Sequence, residues 1–377
     1  MPQVIFYPVG NGDTSQIILD NGKRILFDYR HQKQSETGDT PCIDLAKQLR
    51  SELAQSRRDS FDVVAFTHAD HDHIAHSTEF FELWHSEQYQ GKDRIKIKEL
   101  WVPAAMVLEK GTHADRDKDF IILRQEARHR LREGKGIRVF SKPEELGEWL
   151  EDNNLTLEQR RHLITDAGKL VQGFTLEQDG VEFFCHSPFI KHVDHGDDLR
   201  NPASLIFQVR FQIGQTKVNY LAIGDSESEV LEDIVSITEY HQNLDRLDWD
   251  LFNIPHHCSY RALASDKGKQ VTVPSAGVKK LLQRGKQGAY IISSSNPIDD
   301  TPEAYEQAQP PHIQAKKAYV HALEQVDGRK FLVTMEEPNR NKPQPLVFSL
   351  SEAGCRLVED TSSAAIRLVS SRPPRAG

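Results

Sequence analysis

The pattern His68-x-Asp70-x-Asp72-His73 sets four candidate metal ligands within six consecutive positions of this chain. They follow directly on an apolar, strand-like run, DVVAF at residues 62–66. Alternate residues of a strand share a direction and the turn after it brings the next residue round, so such a loop can aim several side chains at one cation. Imidazole with carboxylate suits zinc, manganese or iron(II), and two carboxylates shift the preference towards harder metals. The plainer meaning, a solvated loop of acids and histidines, fits poorly with four ligands set against a core strand. A second apolar run, residues 220–223, ends in Gly224-Asp225, where glycine permits a sharp turn and the aspartate is presented at the strand's end. Alone, that pair reads more simply as an Asx turn or a helix cap. A third run, residues 251–254, ends in Pro255-His256-His257-Cys258-Ser259. Three strands that each end in ligand-type residues point to one shared site.

The elements that must position these loops can be read from period and punctuation. Residues 4–7, 15–19 and 24–27 are short β-prone runs, separated by the turns Gly10-Asn11-Gly12-Asp13 and Asp20-Asn21-Gly22. Helical spacing follows at 42–54 (Cys42, Leu45, Leu49, Leu53), then strands at 62–66 and 97–102. Residues 106–172 turn highly charged and helical in pattern, as a helical insertion or cap would. Strands resume at 181–185, 204–211, 218–223 and 250–254. A helix at 276–284, a strand at 289–293, a helix at 313–324 and strands at 330–335 and 345–350 complete the series. The pattern predicts a single domain over residues 1–360, two packed sheets covered by helices, with residues 361–377 as a loose tail.

The 377 residues are 38% hydrophobic and 27% charged, the balance of a soluble globular protein. No run of apolar residues is long enough for a membrane-spanning helix. The opening MPQVIFYPVG has no basic segment and no long apolar stretch, so no secretion signal is expected. Four cysteines lie far apart without a CxxC pair, which suits reduced thiols and a cytoplasmic location. With 47 basic against 56 acidic residues, the net charge of −9 argues against a tight, non-specific grip on duplex DNA. A local basic groove is still compatible with it. Candidate phosphate contacts are residues 124–138, 279–286 and Arg340-Asn341-Lys342, each of which also reads as a solvated face. Aromatic stacking platforms interleaved with basic residues are not evident.

Taken in order, these motifs resemble the metallo-β-lactamase superfamily, in the branch of the soluble domain of the DNA-uptake competence protein ComEC. Val9-Gly10-Asn11-Gly12-Asp13, with Ile17-Ile18-Leu19 and Ile25-Leu26-Phe27-Asp28 after it, is similar to that branch's opening. Residues 67–73 match its H-x-D-x-D-H form, Asn201-Pro202-Ala203-Ser204-Leu205 its N-x-x-S-L strand, and Gly224-Asp225 its Gly-Asp. Residues 255–259 match its HHGS, and residues 293–296 with Pro311-His312 echo a downstream motif more loosely. The resemblance implies an α+β fold, a four-layer αββα sandwich, with two divalent ions, zinc or manganese, at one edge. His68 and Asp70 would hold one ion and Asp72 and His73 the other, with Asp225 bridging. His256 would complete the second site, leaving His257 to contact substrate or a ligand, and His186 is a candidate for a further ligand. Asp72 would orient a water and take its proton, while His257, Ser259, Asn296 and His312 would face the substrate. The implied activity is that of a phosphodiesterase or nuclease acting on nucleic acid or a nucleotide. Two other readings stay open: a hydrolase of a small ester, lactone or phosphate, and a non-catalytic sensing subunit whose helical insertion binds a protein partner. No membrane partner is implied. The chain departs from the branch at Ala75-His76, at Cys258 and at Tyr29-Arg30, each of which stands where the branch has glycine.

Overall fold

Short β-branched and aromatic runs build two sheets in a computed structural model that describes residues 1–109, 117–189 and 203–358. The first half of the chain supplies β1 (Gln3–Phe6), β2 (Ser15–Ile18), β3 (Arg24–Phe27), β4 (Ser60–Ala65), β5 (Lys96–Pro103), β6 (Ile137–Phe140) and β7 (Ile164–Thr165). The second supplies β8 (Lys169–Leu170), β9 (Val181–Ser187), β10 (Ile206–Ile213), β11 (Thr216–Ile223), β12 (Trp249–Asn253), β13 (Gly285–Ser293), β14 (Lys330–Val333), β15 (Leu346–Ser351) and β16 (Gly354–Leu357). Among the described residues one sheet has nine strands, ordered β16-β15-β1-β2-β3-β4-β5-β6-β7, and the other seven, ordered β14-β13-β12-β11-β10-β9-β8.

Both sheets change from antiparallel hairpins to parallel crossovers part-way across, at β3/β4 in one and at β11/β12 in the other. Ligands of open sheets collect beyond the carboxyl ends of parallel strands. The loops after β3, β4, β11, β12 and β13 carry Asp28, His68–His73, Asp225, His257 and Ser294, so the topology itself brings these residues to one edge.

Alternation sorts the side chains into three apolar layers. Val4 and Phe6 of β1 and Val63 and Ala65 of β4 face the opposite sheet, where they meet Phe183, Phe207, Tyr220 and Leu251. Ile5 and Val64 face outwards, onto α1 (Leu45–Gln55), α2 (Lys118–Glu133) and α3 (Glu144–Asp152), through Leu49, Leu53, Phe120, Leu123, Leu146 and Leu150. Leu221, Phe252 and Ile291 of the second sheet face α4 (Ser228–Tyr240), α5 (Ala276–Leu282) and α6 (Ile313–Gln325) through Leu231, Ile234, Leu281 and Tyr319. Helices, sheet, sheet, helices: the architecture is the expected α+β four-layer sandwich.

The stretch 106–172 differs from the expected helical insertion. It carries α2 and α3, but β6 and β7 also lengthen the first sheet beside β5, and β8 edges the second. Gly134 (φ 75) ends α2 and Gly136 (φ 69) turns the chain, and a Cβ on Gly136 would lie 2.4 Å from the Trp84 ring. Residues IRVF can therefore pair as a strand within a sequence that reads as helix. The helix α4 forms where the sequence pattern had signalled no element. Asn201 and Pro202 and the tail 361–377 lie outside the described residues. No described helix is long and apolar enough to cross a membrane.

Trp101 of β5 is fully buried between the sheets, edge-on to Phe140, Phe174 and Phe183 with ring centroids 5.5, 5.9 and 5.2 Å away. Trp101→Ala is expected to lower the unfolding free energy by about 3–5 kcal/mol, measured by urea denaturation. A loss under about 1 kcal/mol would contradict this packing.

Candidate metal centre

Beyond β4 the backbone is clamped before it reaches the histidines. Asp28, in the left-handed region (φ 54), accepts 2.7 Å hydrogen bonds from the Thr67 amide and from the Thr67 hydroxyl. Its Oδ2 also lies 2.7 Å from His73 Nδ1. With Nδ1 so engaged, the Nε2 of His73 is turned into the site. His68 leaves the strand on the same side, its ring 4.0 Å from that of His73. Asp70 precedes a single helical turn, His71–Ile74, which brings Asp72 and His73 round.

From the second sheet comes Asp225, buried at the end of β11. A Cβ on Gly224 would lie 2.8 Å from Thr67 Cβ, so the absent side chain lets the two sheets close at this edge. The Leu205 amide donates to the Thr67 carbonyl at 2.9 Å, a second tie between the sheets at the same place.

After β12, His256, His257 and Cys258 all adopt positive φ (54, 52 and 66), conformations that cost non-glycine residues about 1–2 kcal/mol each. Two hydrogen bonds hold this turn: the His312 amide donates to the Cys258 carbonyl (3.0 Å), and His257 Nδ1 lies 2.9 Å from the Ser294 carbonyl. His257 Nε2 then faces Asp72 Oδ2 at 3.0 Å and Asp225 Oδ2 at 3.4 Å.

Asp225 is the hub. Its Oδ1 lies 3.2 Å from His73 Nε2, while its Oδ2 lies 4.0 Å from His68 Nε2 as well as near His257. Two overlapping groups of four donors result, each with all its ligand atoms within 4.8 Å of one another: His68, Asp72, His73, Asp225, and Asp13, His73, Asp225, His257. Donors about 2.1 Å from a tetrahedral cation are separated by about 3.4 Å, which is the scale of these spacings. Burial alone would raise the Asp225 carboxyl, but His257 and His73 outweigh it and hold it well below the usual range. Burial would lower His73 and His257; Asp225 with Asp28 for the first, and Asp225 with Asp72 for the second, instead hold them well above the ordinary value. His68 is pulled down by burial and by His73 beside it.

The other expected site residues are distributed as follows. His256 is half-buried and belongs to neither group; consecutive left-handed residues turn neighbouring side chains apart, and it is His257 that reaches the centre. Asp70 Oδ2 lies 3.6 Å from His68 Nε2 but falls outside both groups. His186 is buried away from the centre, its Nε2 2.9 Å from the Arg246 carbonyl. Ser259 is buried and accepts from the Arg261 amide at 3.3 Å. His312 is buried against Tyr260, its Nδ1 accepting from the Tyr260 amide at 3.4 Å. Asn296 is exposed, and its amide donates to Asn11 Oδ1 at 2.8 Å.

Three contributors escaped the sequence reading: Asp13, Asp28 and Ser294. Asp13 and Asp28 both stand in the quoted opening motif, yet nothing local marks them as more than turn residues.

Compared by sequence, the chain matches no family model and no curated protein. Solved structures to which it is similar include unliganded yeast PDE1, at 12% identity and a TM-score of 0.45 over 88% of this chain and 97% of that one. Zinc-bound PqqB from Methylobacterium extorquens is similar at 11% identity and a TM-score of 0.35, over 93% of this chain and 100% of that one. The metallo-β-lactamase GOB-18 from Elizabethkingia meningoseptica is similar at 13% identity and a TM-score of 0.31, over 85% of this chain and 86% of that one. At such distances function has to be read from the site itself.

Burial pushes His186 down from 6.5 to about 4. Between those values the unfolded chain holds a proton that the folded chain excludes. The contribution is thus fully present above about pH 6.5 and fades as pH falls towards 4, by up to about 3 kcal/mol. His186→Gln is expected to flatten the fall in urea-unfolding free energy over this window. An unchanged slope would contradict a neutral buried imidazole.

Proposed function

We propose that this chain is a metal-dependent hydrolase that cleaves phosphodiesters, with nucleic acid or a nucleotide as substrate. One observation carries the metal: His68 Nε2, His73 Nε2 and Asp225 Oδ1 are buried and converge without a well-formed hydrogen bond, the last two meeting only each other at 3.2 Å. Leaving a buried polar atom unpaired costs about 1–3 kcal/mol, and more when it is charged. Cations held between these atoms relieve all three at once. His68, Asp72, His73, Asp225 and His257 are the ligands in this reading, with Asp225 shared and Asp70 beside His68. Imidazole and carboxylate donors in this proportion suit zinc or manganese.

When bound, such ions would neutralise charge on a phosphoryl oxygen and lower the pKa of a water. The chain's own groups do the rest. Asp72, half-exposed at the mouth, would orient a water and accept its proton. His257, its Nδ1 held by the Ser294 carbonyl, keeps its Nε2 turned to the centre. Asp28 and Ser294 fix which nitrogen of His73 and of His257 faces the centre.

The phosphodiester is favoured over a neutral ester by the resemblance of the motif set and by Arg30. This half-buried side chain stands where the branch has glycine; its Nη1 donates to the Val9 carbonyl, and among the described residues it makes no ion pair with a carboxylate. A Cβ on Gly12 would lie 2.8 Å from Arg30 Nε and 2.7 Å from the Asp72 carbonyl, so the cation runs beside the site. It is well placed to receive an anionic oxygen. The four cysteines are free and buried, in accord with a reducing cytoplasm.

Plasmid DNA, short single strands and bis-p-nitrophenyl phosphate, each assayed with manganese or zinc against a chelator control, test this reading. Divalent-dependent cleavage is expected, and Asp225→Asn and Asp72→Asn should each lower it by at least about 1,000-fold. Hydrolysis of p-nitrophenyl acetate alone, or full activity in Asp225→Asn, would overturn it.

A further inference from the structure

Resting on that metal-dependent reading, we infer that Asp13 is a ligand of the second cation. The second site is then built from Asp13, Asp225, His73 and His257, and it is anchored in the first hairpin of the fold rather than only in the three histidine- and aspartate-bearing loops. Asp13 is 6% exposed, and its Oδ2 is buried without a hydrogen-bond partner, 4.0 Å from His73 Nε2. Its other oxygen is tethered: Asn253 Nδ2 donates to Oδ1 at 3.3 Å, and the Asn253 oxygen in turn accepts from the Ser294 hydroxyl at 3.2 Å. Ser294 also presents its carbonyl to His257 Nδ1. One residue at the end of β13 therefore sets both Asp13 and His257 and turns their free atoms to the same point. The Asp13 amide donates to the Asp72 carbonyl at 3.3 Å, which fixes the backbone as well.

A carboxylate this deep needs a counter-charge. His73 and His257 are both engaged by Asp225 at 3.2 and 3.4 Å, and a divalent ion would satisfy Asp13 Oδ2 together with them. With Asp13 included, the cluster offers three carboxylates against three imidazoles, and the second site has two carboxylates and two imidazoles, with Asp225 common to both groups. Ligands of this kind are preorganised by the groups behind them, whose removal typically costs 10- to 100-fold in metal affinity.

Asp13→Asn keeps the shape of the side chain and the oxygen that Asn253 holds, and replaces the charged ligand oxygen by an NH2 group. The metal-stripped full chain, titrated with manganese(II) alone and followed by calorimetry and by electron paramagnetic resonance, is expected to take up two ions in the wild type, with the broadened signal of a coupled pair. Asp13→Asn should take up one ion with wild-type affinity and the second roughly 100-fold more weakly, leaving an uncoupled signal. Asn253→Ala, which leaves the carboxylate but frees it, should weaken the second ion by about 10-fold. Two ions bound by Asp13→Asn with wild-type affinities and a coupled signal would overturn the inference. Because the readout is ion binding, a chain that binds two ions and cleaves no diester refutes the proposed activity and leaves Asp13 as a ligand.

Discussion

Charge confined without water is the constraint on which this structure turns. Asp225 is brought within a few ångströms of Asp13 on one side and of Asp72 on the other, at the edge of a close-packed sandwich. Like charges at that spacing repel strongly once water is excluded, so the arrangement is tolerable only with positive charge among them. The chain provides His73 and His257 as partial counter-charges and leaves several donor atoms unpaired. A fold selected for stability alone would have filled this edge with apolar side chains.

The rest of the molecule can be understood as the support for that cluster. Strands β3, β4, β11, β12 and β13 end at the same edge, and the loops after them carry Asp28, the His68–His73 cluster, Asp225, His257 and Ser294. Asp28 sits behind His73 and Ser294 behind His257, each turning an imidazole so that its free nitrogen faces inwards. The left-handed run His256–Cys258 stores backbone strain at the site itself, with the buried Cys258 and the His312 amide holding it in place. Gly224 gives up its side chain so that the Asp225 loop can lie against Thr67.

Much of this was readable before any coordinates. The gathering of His68, Asp72, His73 and Asp225 was legible because they cluster just beyond two apolar strands, β4 and β11. The choice between His256 and His257 was not, because it depends on backbone rotation through consecutive left-handed residues, which the identities His-His-Cys do not announce. Asp13 was hidden for another reason: its place at the centre comes from contacts with Asn253 and His73, far away in sequence. His186 shows the converse, since a histidine at a strand end resembles a ligand until the Arg246 carbonyl is found to occupy its nitrogen. In residues 106–172 charge density masked β6, whose four residues are strand only because Gly134 and Gly136 turn the chain beside β5.

Ion binding and folding are therefore linked: an ion that binds only the folded cluster must stabilise the fold, by an amount that grows with the logarithm of its concentration. The most direct measurement is thermal unfolding of the full chain, stripped by a chelator and then supplied with increasing manganese or zinc. A melting temperature that climbs steadily with free ion, and a stripped chain that regains it on readdition, is the result this account predicts. A melting temperature indifferent to both chelator and ion would contradict it.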